Sequence, residues 1–296
     1  MGTTKTVHGD PWPRRFGRAV VTPFLPTSEI ADAIEMRGRL QRSTATGRRI
    51  LVDDFGTGAD TAVVAALIAR VLAHHRRDRV LAVDATDRLP PLGTRLDTHA
   101  AHALGEGVQT ASFEQAKESI GEAAPGLWTV QAAQNNEDAY AAGLLPLFRF
   151  FGVTLVTGGS GGAFVDAVAE TAHSRVRVVR ATRDSVRIVG RRLDRLLRDG
   201  RRHEVENSVI VVFDQERGED PGFDAARITR IIAESGAEAV RLRYDRHLAQ
   251  GRAVQMRRVS EATRRTAIHM AAEVMTKAVA SVRPQYEVTE GRGGRA

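Results

Sequence analysis

A glycine-rich turn at residues 53–61, DDFGTGADT, has the residue types and the setting of a phosphate-binding loop. An apolar strand, Ile50 to Val52, precedes this turn, and an Ala-, Val- and Leu-rich helix follows it. In such a loop backbone N–H groups surround the phosphates, a lysine meets the β and γ phosphates, and a Ser or Thr hydroxyl holds Mg²⁺. The turn in this chain contains no lysine. The sequence therefore predicts the backbone of a phosphate site without its main cation.

Asp60 has a structural explanation within this turn. It precedes the helix that begins at Thr61, and an N-cap aspartate accepts hydrogen bonds from N–H groups that a phosphate would otherwise take. We therefore expect that Asp60 replaces the missing anion and keeps the loop in shape. The alternative is an unusual cation site that Asp60 forms with Asp53, Asp54 or Asp84.

The elements that must position this turn alternate along the chain. Short apolar runs, typical of strands buried on both faces of a parallel sheet, occur at residues 49–53, 79–84, 127–132, 153–157, 175–180, 208–213 and 238–243. Helical patterns lie between them, at residues 61–76, 113–123, 136–150, 163–173, 183–199, 222–235 and 260–282. This alternation predicts an α/β domain with a doubly wound, mainly parallel sheet and helices on both faces.

Composition limits the classes of function. The chain has 296 residues, a net charge of +7 that comes from arginine, and no cysteine, so disulfides, iron–sulfur clusters and thiolate chemistry are excluded. It contains no apolar run long enough to cross a bilayer and no apolar segment typical of a secretory signal, so we expect a cytoplasmic protein. We divide the chain into an N-terminal extension with a short helix (1–46), the main domain (47–284) and a disordered tail (285–296).

The order of these motifs resembles the ParA/MinD-like deviant-Walker ATPases, and within them the EspI-like branch associated with type VII secretion. RRILVDDFGTGADTAVVAALIARVLA stands where that family has a strand, the loop KGGVGKTT and a helix. DRVLAVDATDRLPPLGTRL matches the second strand and its aspartate, Asp84, and FGVTLVTGGSGGAFVDAV takes the place of the strand that ends in DxGxG. SVIVVFDQERGEDPGFDAARI and the segment that begins YDRHLAQG are similar to the last strands and the adenine-side loop. The resemblance implies the P-loop NTPase fold.

The departures from the family pattern lie at the residues that would neutralise a triphosphate. The resemblance places Asp54 at the signature lysine, Ala59 at the Walker lysine, Asp60 at the magnesium-binding threonine and Thr157 at the aspartate that would orient Mg²⁺ and water. A carboxylate about 4 Å from a phosphate oxygen costs roughly 4 kcal/mol at an effective dielectric constant near 20. We therefore expect no catalytic residue, no resident metal and no ATP hydrolysis.

The remnant of the nucleotide site comprises a set of residues that the resemblance selects. In the nucleotide loop these are Asp54, Gly56, Thr57, Gly58, Ala59, Asp60, Thr61, Asp84, Thr157, Gly159 and Gly161, and in the adenine-side loop they are Asp214, Asp245 and His247. The stretch TGGSGGAF is either a second anion-binding loop or a remnant of the hydrolysis switch.

A basic stripe follows the predicted helix at 183–199. Arg187, Arg191 and Arg195 recur at four-residue spacing, and Arg201 and Arg202 follow them. ParA-like relatives bind DNA without sequence specificity through basic surface residues, so the stripe is a candidate for phosphate contact; a solvated arginine-rich face is the structural alternative.

These observations lead to one principal hypothesis and two alternatives. The principal hypothesis is a catalytically inactive ParA/MinD-like scaffold or regulator with a protein partner, connected with type VII secretion or with cell-pole and chromosome organisation, and forming a homodimer without ATP. The first alternative is a switch that binds ATP or ADP weakly. The second is a non-specific DNA-binding protein.

Overall fold

One eight-stranded sheet organises the chain. The computed structural model describes residues 27–42, 46–98, 103–104, 111–133, 135–136, 138–159, 161–218 and 223–281. The strands are β1 (Arg48–Asp53), β2 (Val80–Ala85), β3 (Gly121–Ala124), β4 (Leu127–Gln131), β5 (Val153–Gly158), β6 (Ser174–Arg180), β7 (Ser208–Phe213) and β8 (Glu238–Leu242). Their order in the sheet is β3-β4-β2-β5-β1-β6-β7-β8, and every pair is parallel except β3 with β4. The predicted doubly wound, mainly parallel sheet is thus confirmed.

Helices cover both faces of this sheet. They are α1 (Thr27–Leu40), α2 (Thr61–His75), α3 (Leu92–Leu96), α4 (Phe113–Ser119), α5 (Leu145–Leu147), α6 (Ala163–Thr171), α7 (Arg183–Arg198), α8 (Arg202–Glu206), α9 (Ala225–Glu234) and α10 (Glu261–Ala280). A π-helical turn (Ala139–Leu144) and a 3₁₀ turn (Phe148–Phe150) flank α5, and another 3₁₀ turn occupies Leu248–Gln250.

Successive residues of a strand pack alternately against the helices on the two faces of the sheet. Ile50 and Val52 of β1 belong to the core that β1 shares with α2 and α10, whereas Leu51 belongs to the core under α6. A third core lies between the end of the sheet and α7. Because successive side chains of a strand point to opposite faces, continuous apolar runs are required for a sheet that is covered on both sides.

Several short elements differ from the sequence prediction. β3 is an antiparallel edge strand in a stretch predicted as the end of a helix, and its sequence, GEAA, contains no β-branched or aromatic residue. The helices α3 and α8 were not predicted, because five residues are too few to show a 3.6-residue period.

The helix α1 packs against the main domain. Leu40 is fully buried, and Arg39 forms an ion pair of 2.6 Å with Glu273 and a hydrogen bond of 2.9 Å with Thr276, both on α10. The division of the chain at residues 46 and 284 stays a prediction, since residues 1–26 and 282–296 lie outside the described residues. Within the described part of the chain, no helix is both long and apolar enough to cross a bilayer.

Candidate functional site: a phosphate-loop backbone filled by its own carboxylates

The glycine-rich turn lies where the carboxyl ends of the central strands meet. β1 leads into the turn, and its neighbours β5 and β6 run parallel to it. Asp84 is the penultimate residue of β2 and is aligned with Thr157 on β5. In doubly wound sheets this edge is where ligands bind. The sheet therefore brings the turn, Asp84 and Thr157 together, as the sequence predicted.

Asp54 occupies the centre of the turn. Its Oδ1 accepts a hydrogen bond of 2.9 Å from the Gly56 amide, and its Oδ2 accepts one of 3.1 Å from the Gly58 amide. Both glycines have positive φ angles, 72° and 74°, which aim successive N–H groups into one concave site. The Asp54 side chain is buried, with 5% of its surface exposed. A carboxylate of the chain itself thus takes the amides that would otherwise receive a phosphate.

Two arginines from outside the turn supply positive charge. Arg88, which follows β2, donates from Nη2 to Asp54 Oδ2 at 3.1 Å and from Nη1 to the Gly58 carbonyl at 3.0 Å. Arg192 of α7 reaches Gly56 so closely that a Cβ added there would lie 2.3 Å from its Nη2. Position 56 therefore favours glycine because of its positive φ angle, and a larger residue there would also displace the end of the Arg192 side chain. Sequence reasoning missed both arginines, because Arg88 is 34 residues from Asp54 and Arg192 is 136 residues from Gly56 in a chain that has 43 lysine and arginine residues.

Asp60 caps the helix that follows the turn. Its Oδ1 accepts a hydrogen bond of 3.1 Å from the Val63 amide, as expected for an N-cap. Its Oδ2 pairs with Arg95 of α3 at 2.5 Å. Asp60 is thus the expected N-cap, but Asp54 receives the glycine amides, so the expectation that Asp60 replaces the missing anion is wrong for the turn itself. The two aspartates divide that role, Asp54 in the turn and Asp60 at the start of the helix.

The remaining members of the turn are held by the sheet and the core. The Thr57 hydroxyl donates to the carbonyl of Asp54 at 2.7 Å, and Ala59 is fully buried. Thr61, the first residue of α2, is also buried. Phe55 has a φ of 47°, which is rare for a residue other than glycine, and its amide donates to Asp53 at 2.8 Å.

Two guanidinium groups lie over the ring of Phe55. The Arg177 guanidinium carbon lies 4.0 Å from the centre of its ring, and that of Arg192 lies 5.3 Å from it. Arg177 is itself buried and belongs to an ionic cluster with Glu204, which also pairs with Arg175 at 2.9 Å. Burial raises the pKa of Asp53, although the nearby Arg177 opposes the rise. The ring of Phe55 is thus contacted by one guanidinium group from β6 and one from α7.

The Asp84 carboxylate accepts hydrogen bonds from the groups around it. Its Oδ2 accepts a hydrogen bond of 2.6 Å from the Leu92 amide, and its Oδ1 accepts bonds from the amide and hydroxyl of Thr86 and, at 3.2 Å, from the hydroxyl of Thr157. Burial raises the pKa of Asp84, and the hydrogen bonds from Leu92 and Thr86 oppose that rise. Thr157 is fully buried and also donates to the carbonyl of Val83 at 3.2 Å.

The proposed cation site of Asp60 with Asp53, Asp54 or Asp84 has no support in this arrangement. Each of the four carboxylates accepts from different amides or guanidinium groups. In the described part of the chain no group of three or more histidine, aspartate or glutamate side chains could hold a metal ion. In the stretch after β5, Gly159 and Gly161 are described, the latter with a φ of 98°, but residue 160 lies outside the described residues.

The three residues predicted at the adenine side have structural partners. Asp214 pairs with Arg241 at 2.9 Å. Asp245 accepts hydrogen bonds from the amides of His247 and Ser260 and from the hydroxyl of Thr263, each at 2.8 Å. The burial of Asp245 raises its pKa, but these hydrogen bonds outweigh that effect, so the pKa lies below its ordinary value.

His247 fixes the loop that follows Asp245. Its Nε2 accepts a hydrogen bond of 3.0 Å from the Gln255 amide, and its burial lowers its pKa. Hydrogen bonds to Asp245 and to neutral His247 therefore stabilise the closing segment, residues 244–260.

The arginine stripe lies on the outer face of α7. Arg187, Arg191 and Arg195 are exposed, whereas Val189 and Leu193 of the same helix are buried. Arg201 and Arg202 are exposed just beyond the helix, and Arg201 forms an ion pair with Glu204. The stripe is thus open to solvent, and the α7 residue that reaches Gly56, Arg192, is not one of its members.

Solved structures with the same fold include three ATPases of one family. A ParA family ATPase from Chlorobium tepidum superposes with a TM-score of 0.61 at 15% identity, covering 77% of this chain and 98% of that one. A MinC:MinD cell division protein complex from Aquifex aeolicus gives 0.59 at 16% identity, with 78% and 96% covered. The cell division ATPase MinD from Pyrococcus furiosus gives 0.55 at 15% identity, with 78% and 99% covered.

These likenesses show the fold. The chain has the α/β architecture of ParA/MinD-type P-loop NTPases over nearly the whole length of those proteins. No protein-family model and no curated protein matches its sequence.

Proposed function

We propose that this protein is a ParA/MinD-like pseudo-ATPase that does not hydrolyse ATP and acts as a scaffold or regulator. One observation carries the proposal: the amides of Gly56 and Gly58 donate to the Asp54 carboxylate of the same loop. For a nucleotide to bind there, Asp54 must leave the loop, and a phosphate must replace a hydrogen-bonded carboxylate that Arg88 also holds. A carboxylate that stayed would repel the phosphate by roughly 4 kcal/mol at 4 Å and an effective dielectric constant near 20.

The chain also lacks the groups that would hold magnesium and orient the attacking water for ATP hydrolysis. In phosphoryl transfer a magnesium ion and a residue that orients the attacking water stabilise the reacting phosphate. At the corresponding positions this chain has Asp60, which is occupied by the helix cap and by Arg95, and Thr157, whose hydroxyl donates to Val83 and Asp84. Asp84 accepts four hydrogen bonds within the protein. No carboxylate is left in the turn for Mg²⁺.

The partner in this proposal is another protein. A solved structure of the same fold is a MinC:MinD complex, in which a ParA/MinD-like protein assembles with a second protein. The resemblance of the YDRHLAQG segment to the EspI-like branch supports a place in type VII secretion or in cell-pole and chromosome organisation, in the cytoplasm. Without nucleotide to join two subunits, the proposed homodimer is constitutive.

Two assays on the purified protein test the proposal. The protein is denatured and the released nucleotide is quantified by chromatography, and magnesium-dependent ATP turnover is measured on the native protein and on Asp84→Ala. We expect substoichiometric nucleotide and a turnover that equals the buffer rate in both proteins. Turnover comparable with that of an active ATPase and abolished by Asp84→Ala would overturn the proposal. Stoichiometric nucleotide without turnover would favour the nucleotide-responsive switch.

A second candidate function, non-specific DNA binding, is supported by the exposure of the arginine stripe on α7. Arg187, Arg191 and Arg195 are all exposed on one helix face, and phosphate contacts by such residues weaken as salt rises. Fluorescence anisotropy with a random DNA duplex at two salt concentrations measures this binding. The variant in which all three are alanine should lose it, whereas the control Arg227→Ala/Arg230→Ala, on the exposed side of α9, should keep it. Equal affinity in both variants would exclude the stripe.

A further inference from the structure

A cavity of about 560 Å³ lies beside the turn but does not include it. One wall is the end of α3, with Thr94, Asp97 and Thr98, and the other wall is the closing segment, including His247, Arg252 and Arg258. No residue of the turn at 53–61 lines the cavity. Its volume falls in the range of roughly 300 to 1,000 Å³ that small-molecule sites occupy.

The charges around this cavity favour an anion. Arg252 and Arg258 are exposed, and neither side chain forms a hydrogen bond or ion pair with the described residues. His247 contributes no charge, because its Nε2 accepts the Gln255 amide and therefore carries no proton. The one carboxylate among the lining residues, Asp97, belongs to the opposite wall. Two guanidinium groups thus face one carboxylate.

The chemistry of these groups specifies the ligand further. A guanidinium group matches phosphate oxygens with two parallel donors, and two such groups on one wall match the two charges of a phosphate monoester near neutral pH. The hydroxyls of Thr94 and Thr98 and the carboxylate of Asp97 on the other wall suit hydroxyl groups. We propose that the cavity between α3 and the closing segment binds a small organic phosphate monoester that carries hydroxyl groups.

A ligand in this cavity would contact both α3 and the closing segment, and Arg95 joins these two elements to the turn. Arg95 of α3 donates to the Leu248 carbonyl at 3.0 Å and to Asp60 at 2.5 Å, and its own carbonyl accepts from the Val254 amide at 2.8 Å. Arg95 therefore connects α3, the closing segment and the cap of α2 by direct hydrogen bonds. The ligand would act as an effector of a protein whose own phosphate loop is filled, although the cavity itself does not depend on the proposed function.

The experiment measures ribose 5-phosphate binding by titration calorimetry and by thermal shift on the full chain. Ribose and inorganic phosphate are the comparison probes. The variants are Arg252→Ala/Arg258→Ala and Asp97→Asn, and the control is Arg257→Ala, an exposed arginine of the same segment that does not line the cavity. Circular dichroism checks that each variant folds.

We expect ribose 5-phosphate to bind at least tenfold more tightly than ribose or inorganic phosphate. The double arginine variant should lose at least tenfold in affinity and Asp97→Asn a smaller amount, while Arg257→Ala keeps the native value. No binding of ribose 5-phosphate, equal binding of inorganic phosphate, or equal loss in Arg257→Ala would each overturn the proposal. None of these outcomes bears on ATP turnover, so the failure of the cavity and the failure of the proposed function are distinguishable.

Discussion

The turn at 53–61 and the closing segment at 244–260 both depend on one aspartate, with different consequences. Asp54 accepts the Gly56 and Gly58 amides in a concave loop that is shaped for an anion. Asp245 accepts the amides of His247 and Ser260 in a loop whose ends must be brought together. In the turn the carboxylate stands where a ligand would be, whereas in the closing segment it is part of the fold. The comparison teaches that a glycine-rich loop can keep its backbone conformation when a side chain of the chain itself satisfies the amide donors.

Removing the closing segment's aspartate should have the largest effect on stability. Asp245→Ala leaves the Ser260 and His247 amides and the Thr263 hydroxyl without their charged acceptor, so the free energy of unfolding should fall by about 3 to 5 kcal/mol. Urea denaturation measures this change. Asp214→Ala, which removes one partly buried ion pair, is the control and should cost about 1 kcal/mol or less. Similar losses of unfolding free energy in Asp245→Ala and Asp214→Ala would contradict the structural importance assigned to Asp245.

Asp60→Ala should have the second-largest effect on stability. Asp60→Ala removes the cap of α2 and also leaves Arg95, whose side chain is 5% exposed, without its carboxylate, so we expect a loss of about 2 to 4 kcal/mol in the free energy of unfolding. Asp60→Asn keeps the cap and loses only the charge, so it should retain part of the stability. An unchanged melting temperature in Asp60→Ala would show that the cap is unimportant.

Opening the turn should restore ligand binding in part. Ala59→Lys returns the Walker lysine, but Asp54 still fills the loop. The double variant Asp54→Gly/Ala59→Lys should therefore bind Mg·ADP roughly tenfold more tightly than Ala59→Lys alone, which corresponds to about 1.4 kcal/mol. Hydrolysis should stay absent, since Thr157 provides no carboxylate. Calorimetric titration compares the two variants, and equal affinities would show that Asp54 does not obstruct the loop.

Lowering the pH should change the stability contributions of Asp84 and Asp245 in opposite directions. The pKa of Asp84 is raised by burial, so its ionised form is disfavoured in the fold, and stability declines as pH rises from about 4 through the folded pKa. Asp84→Asn should remove that decline and should therefore cost more stability at about pH 4 than at about pH 7. The pKa of Asp245 is raised by burial but lowered further by its hydrogen bonds, so its contribution is present above about pH 4 and is lost as pH falls.

Urea denaturation of Asp84→Asn at about pH 4 and pH 7, and of Asp245→Asn at about pH 3 and pH 7, tests these signs. Asp245→Asn should cost more stability at about pH 7 than at about pH 3. The same pH trend in Asp84→Asn and Asp245→Asn would contradict the assigned directions.

The smallest expected effect concerns assembly. If the loop holds its own carboxylate, Mg·ATP gives two subunits no new contact, and the sedimentation coefficient should be the same with and without it. We expect a dimer in both conditions. A monomer that becomes a dimer only when Mg·ATP is added would contradict both the filled loop and the constitutive dimer.

The sequence was sufficient for the sheet but not for the interior of the turn. Runs such as SVIVVF and the glycines at 56 and 58 are local signals, and they predicted the buried strands and the shape of the loop. The bond from the Gly56 amide to Asp54 is an Asx turn, for which an aspartate two residues before a glycine is a weak signal, but the second bond, from the Gly58 amide, depends on how the whole turn folds. Arg88 and Arg192 come from distant elements, and only the fold brings them to the turn.

The most direct test of the filled loop follows the amides of Gly56 and Gly58 themselves. Nuclear magnetic resonance of the ¹⁵N-labelled protein reports the chemical shifts of both amides during a titration with Mg·ATP. Because Asp54 already accepts from both, we predict that neither shift changes as Mg·ATP is added to excess. Shifts of both amides that saturate with Mg·ATP would show that the loop exchanges its carboxylate for a phosphate, and the central claim would be wrong.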